Sequence, residues 1–171
     1  MADSSYQADL SDAFLSAYDE HAESIFRFIL LKVSDREKAH DLVQETFTRT
    51  WDYCAKGGEI TQWKAFLYRT ARNLIIDTYR AKPSVSLDAM AEDQQFTPAD
   101  EAMPGSDALA EINLVRAAIA ELPETYRECV LLRYCEDLSP REIAEVMDLS
   151  ENVVSVRIHR GVKLLRERFG S

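Results

Sequence analysis

The chain has 171 residues, of which 46% are hydrophobic and 29% charged, and it carries a formal net charge of −10. That length accommodates one medium domain or two small ones, with the composition of a soluble globular protein. No apolar run approaches the roughly 20 residues of a membrane span, which excludes an integral helical membrane protein.

The N-terminal segment is acidic and lacks an apolar stretch, so it is not read as a signal peptide and the expected compartment is the cytoplasm. Cys54, Cys129 and Cys135 follow no framework spacing and are expected to be reduced, each a small buried hydrophobe. Residues 12–33 carry apolar side chains at helical spacing. Ser34-Asp35-Arg36-Glu37 then fits a capping box, with Ser34 as cap and Glu37 reaching back. The second helix is predicted to run to about Cys54, and Lys56-Gly57-Gly58-Glu59 breaks it. Within it Ala39, Val43, Thr46, Phe47 and Thr50 share an inner face. Asp41, Gln44, Glu45, Thr48 and Asp52 share the opposite, acidic one.

A third helix is predicted from about Thr61 to Arg80. Leu67, Ala71, Leu74 and Thr78 form its narrow inner stripe, while Tyr68, Arg69, Arg72, Ile76, Tyr79 and Arg80 point broadly outward. Aromatic rings interleaved with guanidinium groups suit a single-stranded nucleic acid, because rings stack on bases and guanidinium groups hold phosphates. Residues 81–108 contain three of the five prolines and read as a flexible acidic linker. Helical pattern resumes at about Leu109 and continues to Phe169. The expected fold class is therefore all-α, with two small helical domains, residues 1–80 and 109–171, joined by the linker.

Charge is distributed unevenly along these elements. Residues 63–82 hold five basic side chains against one acidic, and residues 152–171 hold the same balance, whereas every other segment is acidic. Local positive patches, not net charge, decide where DNA binds.

The strongest local pattern is LSPREIAEVMDLSENVVSVRIHRGVKLLRERF, residues 138–169. Ser139-Pro140-Arg141-Glu142 is a capping box with proline at the first helical position. Asp148-Leu149 makes a turn, and Ser150 caps the next helix. There Val154, Ile158, Gly161 and Leu165 fall on one face, at spacings of four, three and four. A short helix, a tight turn and a second helix make a helix-turn-helix. Asn152, Val156, His159 and Lys163 lie roughly opposite the apolar face, flanked by Ser155 and Arg160. Their amide, hydroxyl, imidazole and cationic groups suit base edges and phosphates in a major groove.

The segment from Glu121 to Arg168 resembles the C-terminal domain of bacterial RNA polymerase sigma factors. The match lies in Leu122-Pro123, Tyr126-Arg127, Leu131-Leu132-Arg133-Tyr134, Glu142-Ile143-Ala144-Glu145 and Ser150 through Arg160. The resemblance implies recognition of the minus-thirty-five promoter element by Arg141, Asn152, Ser155, Val156, Arg157, His159, Arg160 and Lys163. Asp148 departs from the family's frequent glycine, and Val153, Ser155 and Val156 from its threonine, lysine and serine. These departures alter the expected base preference.

The run from Asp41 to Trp51 resembles the sigma-factor segment that docks on the clamp helices of the polymerase's largest subunit. By that resemblance Asp41, Gln44, Glu45, Thr48 and Asp52 bind polymerase, and an acidic face suits a basic partner. The run from Trp63 to Arg80 resembles the helix that melts and binds the minus-ten element, with Asn73, Asp77 and Arg80 at the matching spacing. The implied contacts are Tyr68, Arg69, Arg72, Asn73, Ile76, Tyr79 and Arg80. Lys56 and Gly57 join them from the preceding loop, about Ala55 to Thr61, which in that family frames a pocket for a flipped base. Direct linkage of the two domains, with no middle domain, is similar to the extracytoplasmic-function group of the sigma-70 family. The implied function is that of an alternative sigma factor. The implied partners are core RNA polymerase (the clamp helices and the flap of the second-largest subunit), promoter DNA as duplex and melted strand, and an anti-sigma factor. In the same family the linker threads toward the polymerase active cleft, where its acidic residues would mimic nucleic-acid charge.

Three other classes compete. An enzyme is disfavoured because His21, His40 and His159 form no ligand-spaced cluster and no phosphate loop or nucleophile elbow is present. No cofactor, metal or membrane contact is expected. A sigma-like decoy for an anti-sigma factor usually carries a receiver domain, for which this chain has no room. A stand-alone helix-turn-helix regulator would bind duplex DNA without polymerase.

Overall fold

The computed structural model describes residues 2–81, 114 and 117–170, with side chains from residue 8 onward. All regular structure among them is helical, so the fold is all-α. The chain divides into two compact units, Met1–Val85 and Ser86–Ser171. From Lys82 onward the expected linker lies outside the described residues, as does the resumption of helical pattern at about Leu109.

The first unit contains α1 (Ala2–Val33), α2 (Arg36–Ala55) and α3 (Trp63–Arg80), each in contact with the other two. The inner face expected for α2 is buried in full: Ala39, Val43, Thr46, Phe47 and Thr50, joined by Leu42 and Cys54. The two threonines sit at essentially zero exposure because each hydroxyl donates to the carbonyl four residues back, Leu42 and Thr46 respectively, at 2.7 Å. That bond satisfies a buried polar group. Phe14 meets Phe47, Trp51 and Trp63 edge-on at 6.0, 5.1 and 6.4 Å, joining all three helices through one ring.

The α1–α2 corner is built one residue later than predicted. Asp35, not Ser34, is the N-cap, and its carboxylate accepts the Lys38 amide at 3.0 Å. Ser34 takes a left-handed backbone, φ 52°, and its amide donates to the Leu30 carbonyl. Ser34 thus closes α1, and Glu37 is too early by one position to form the reciprocal bond.

α3 also buries more than its predicted stripe. Ala65, Tyr68 and Ile75 are buried alongside Leu67, Ala71 and Leu74. The reason is geometric: α3 packs against α1 and α2 at once, so two flanks of the helix are covered.

The second unit holds a helical turn at 117–120, then α4 (Glu124–Tyr134), α5 (Pro140–Met147) and α6 (Glu151–Phe169), mutually in contact. Its core includes Leu122, Val130, Leu132, Leu138, Ile143, Val146 and Val154. The Arg127 guanidinium donates to the Leu122 carbonyl and pairs with Glu124 at 3.1 Å, holding the entry to α4. Arg168 near the end of α6 pairs with Glu121. Cys54 and Cys129 are buried as expected; Cys135, the C-cap of α4, is exposed because α4 ends there.

Candidate nucleic-acid interface

Three surfaces follow from how these helices bury their other sides. On α2, Asp41, Gln44, Glu45, Thr48 and Asp52 are all exposed, opposite the buried face. Glu45 accepts from the Arg49 guanidinium at 2.7 Å, an i,i+4 pair that leaves the face net acidic.

On α3, Arg69, Asn73 and Arg80 are exposed, and Arg72, Ile76 and Tyr79 are half-buried. Tyr68 is corrected: it is 0% exposed and packs edge-on against Phe28 at 5.2 Å, so it belongs to the core and offers no ring to a base. Tyr79 is held as well, its hydroxyl donating to the Lys32 carbonyl at 2.6 Å. Lys56 and Gly57 are exposed in the loop before α3. Gly57 has φ +88°, which favours glycine, and the Gly58 amide donates to the Tyr53 carbonyl. A β-carbon on Gly58 would fall 2.3 Å from the Tyr53 ring. That ring lies 4.9 Å from Phe66, so loop and helix start share one aromatic anchor.

On α5 and α6 the caps form as expected. The Ser139 hydroxyl accepts the Glu142 amide, and the Glu142 carboxylate accepts the Ser139 amide at 2.7 Å. Pro140 is at the helix start. Asp148 closes α5 in the left-handed conformation, φ 54°, where the aspartate side chain is tolerated better than most. Ser150 caps α6 through the Val153 amide. Val154, Ile158 and Gly161 are buried. Asn152, Ser155, Val156, His159, Arg160 and Lys163 are exposed on the other side, with Arg157 half-buried between. Arg141 is exposed at the start of α5, 3.9 Å from Glu145.

Beside this face runs a shallow groove of about 290 Å³, between the end of α4, the start of α5 and α6. Arg133, Tyr134 and Arg166 line it together with Ser155 and His159. Those three were not among the predicted site residues. Ser155, His159, Val162 and Arg166 recur at helical spacing, a pattern that was available in the sequence; the part of α4 was not. Among the described residues no group of three or more His, Cys, Asp or Glu side chains is placed to hold a metal ion, and no helix is long and apolar enough to cross a membrane.

Residues 17–84 match the sigma-70 region 2 family, and residues 112–165 match the sigma-70 region 4 family. The chain belongs to the sigma-70 family. Curated relatives place it in the extracytoplasmic-function group. The ECF RNA polymerase sigma factor SigW of Bacillus subtilis is 32% identical over 167 residues, covering 92% of this chain and 89% of SigW. SigL of Mycobacterium tuberculosis, also an ECF RNA polymerase sigma factor, is 32% identical over 150 residues, 87% and 84% of the two chains. The fold agrees with that of the sigma factor RpoE from Bartonella quintana, solved in complex with the anti-sigma factor NepR. The TM-score is 0.67 at 20% identity, covering 93% of this chain and 95% of that one.

The ECF sigma factor described here therefore has the function of an alternative sigma factor. Its region 2 match spans all of α2 and α3, and its region 4 match covers α4, α5 and most of α6. The acidic α2 surface and the basic α3 surface belong to region 2. The recognition-helix surface belongs to region 4.

Proposed function

We propose that the chain divides promoter-specific initiation among these three surfaces. Asp41, Gln44, Glu45, Thr48 and Asp52 on α2 dock on the clamp helices of core RNA polymerase. Arg69, Arg72, Asn73, Ile76 and Arg80, with Lys56 and Gly57 of the loop, hold the melted minus-ten element. Arg141, Asn152, Ser155, Val156, Arg157, His159, Arg160 and Lys163 read and grip the minus-thirty-five duplex. The second unit also meets the flap of the second-largest subunit, and an anti-sigma factor covers these faces when transcription is off. The work takes place in the cytoplasm, with no chemical step catalysed by the chain itself. Residues 1–80 and 109–171 act as the two domains, with 81–108 as the tether.

One observation carries this most directly. Most side chains whose chemistry suits each partner are exposed, with Arg72, Ile76 and Arg157 half-buried, while the opposite face of each helix is buried. An acidic face for a protein partner and two basic faces for DNA on one acidic chain match the electrostatics of each contact. In vitro transcription with core polymerase and this protein on a genomic promoter library tests it. Specific transcripts starting downstream of one shared pair of elements are expected; transcription no different from core polymerase alone overturns it.

A further inference from the structure

The groove beside the recognition face is built from two separate stretches of chain. Ser155, His159 and Arg166 line it from one flank of α6, and Arg133 and Tyr134 line it from the end of α4. No carboxylate is among its lining residues. Arg166 is exposed, and its guanidinium makes no ion pair or hydrogen bond among the described residues. Arg133 is tied through Nη1, which donates to the Leu138 carbonyl at 3.2 Å and stands 3.7 Å from the Asp137 carboxylate. The Asp137 side chain is 93% exposed, so that pair is weak and screened by solvent. Nε and Nη2 of Arg133 make no hydrogen bond among the described residues, and its side chain is 37% exposed. The Tyr134 ring, its centroid 5.9 Å from the Arg133 guanidinium carbon, is exposed and carries a hydroxyl donor.

Ser155 and His159 belong to two surfaces at once, the groove and the exposed face of α6. The groove is therefore the flank of that face nearest α4. A major groove of B-DNA is about 12 Å wide, and a helix with its side chains is about 10–12 Å across. A helix seated there has one phosphate strand along each flank. Arg160 and Arg166 are six residues apart, which turns them about 120° away from each other around the axis. They therefore face different strands. Arginine presents its donors in a planar fork that matches two oxygens of one phosphate, and such bonds are charge-assisted.

We propose that this groove is a phosphodiester site for the minus-thirty-five duplex. Arg133 and Arg166 close on one backbone strand from α4 and α6, and the Tyr134 hydroxyl donates to the same strand. Arg160 holds the strand on the opposite flank. The inference rests on the proposed reading of duplex by α6 and adds a contact made by α4, outside the helix-turn-helix. The ligand is a backbone phosphate, with no base preference. The site thus fixes the register and tilt of α6 on the duplex and leaves the choice of sequence to base-edge contacts.

The test uses holoenzyme assembled from core polymerase and the full-length chain. The probe is a duplex spanning the minus-thirty-five element of the strongest promoter recovered from the library. Its phosphates are neutralised one at a time, on either strand, as methylphosphonates. Affinity is measured against salt concentration for the parent, Arg166→Met, Arg133→Gln, Tyr134→Phe and Arg160→Ala. Arg166→Met keeps the apolar stem and removes the charge. It is expected to flatten the slope of log K against log salt by about 0.9, the value for one lost duplex phosphate contact. It should also become insensitive to neutralisation at one phosphate, on the strand opposite the one where Arg160→Ala loses sensitivity. Arg133→Gln should lose sensitivity on the same strand as Arg166→Met, with its melting temperature showing whether the Leu138 loop has loosened. Tyr134→Phe, which removes a donor without charge, should lower affinity at the parent slope. If Arg166→Met keeps the parent slope and phosphate pattern while Arg160→Ala does not, the inference is overturned and the α6 surface stands. Loss of sensitivity on the strand held by Arg160 overturns it too. If Arg160→Ala also changes nothing, the α6 surface falls with it. Core affinity without DNA and calorimetric titration of the free chain with inorganic phosphate cover the other occupants. With an unchanged phosphate pattern, a loss of core affinity in Arg166→Met gives the groove to an acidic polymerase segment, and a loss of phosphate binding gives it to a free anion. Either result overturns the proposal.

Discussion

Gly161 of α6 lies so close to Val130 of α4 that a β-carbon on it would come within 2.6 Å of the valine Cγ2. The Tyr126 Cβ would be 3.3 Å away on the same side. The recognition helix is seated against α4 by a residue that has no side chain. Gly161→Val should therefore overpack this seam and destabilise the second unit by about 1–3 kcal/mol. Pairing Gly161→Ala with Val130→Ala should recover part of the loss of Gly161→Ala, as measured by denaturant unfolding. Strictly additive effects would show that the two helices are not locked at this point.

Tyr68 and Arg69 are sequence neighbours with opposite surroundings, and their alanine variants should separate accordingly. Tyr68→Ala leaves a cavity beside Phe28 and should cost about 3–5 kcal/mol of stability. Arg69→Ala should leave the melting temperature nearly unchanged and weaken open complexes, read as reduced permanganate reactivity of thymines in the minus-ten region. A stable Tyr68→Ala protein with a pure melting defect would contradict the burial of that ring.

Reversing Asp41 and Glu45 to lysine should weaken core-polymerase binding with helicity retained. Both are exposed, so folding tolerates the change. Breaking the Glu45–Arg49 pair itself should cost only a few tenths of a kcal/mol. Core affinity of the double variant equal to that of the parent would remove α2 from the polymerase contact.

On α6, Arg160→Ala should weaken all minus-thirty-five elements nearly equally and flatten the salt dependence, as loss of a phosphate partner does. Val156→Ser should instead change which sequences are preferred, because a methyl contact favours thymine and a hydroxyl does not. The Val156→Ser effect should be about 1–3 kcal/mol, as for an altered base contact. A library readout with the two roles exchanged would mean that a different edge of α6 enters the groove.

His21 is buried in the first unit, and burial lowers its pKa from the ordinary 6.5; Glu20 raises it and Lys64 lowers it further. The folded state therefore holds this proton less tightly than the unfolded chain. Stability from the neutral imidazole is present above the unfolded pKa and is lost as pH falls through that value toward the lower folded one. Urea midpoints should decline between about pH 7.5 and about pH 5.5. His21→Gln should decline less; an identical slope in both proteins would place the pH dependence elsewhere.

Helix periodicity, the Ser139–Glu142 box, the Asp148 turn and the inner face of α2 were all legible in the sequence. They depend on interactions within one turn or one face of a single helix, which spacing encodes directly. So was the family, since its motifs are runs of adjacent residues. The burial of Tyr68, the anchoring of Tyr79 to Lys32 and the lining of the groove by Arg133 and Tyr134 were not. Each depends on which second or third helix lies alongside. A helix that packs against one neighbour buries a stripe, as its periodicity suggests. One that packs against two, as α3 does, buries two flanks, and only the tertiary arrangement decides which outward-looking aromatic becomes core.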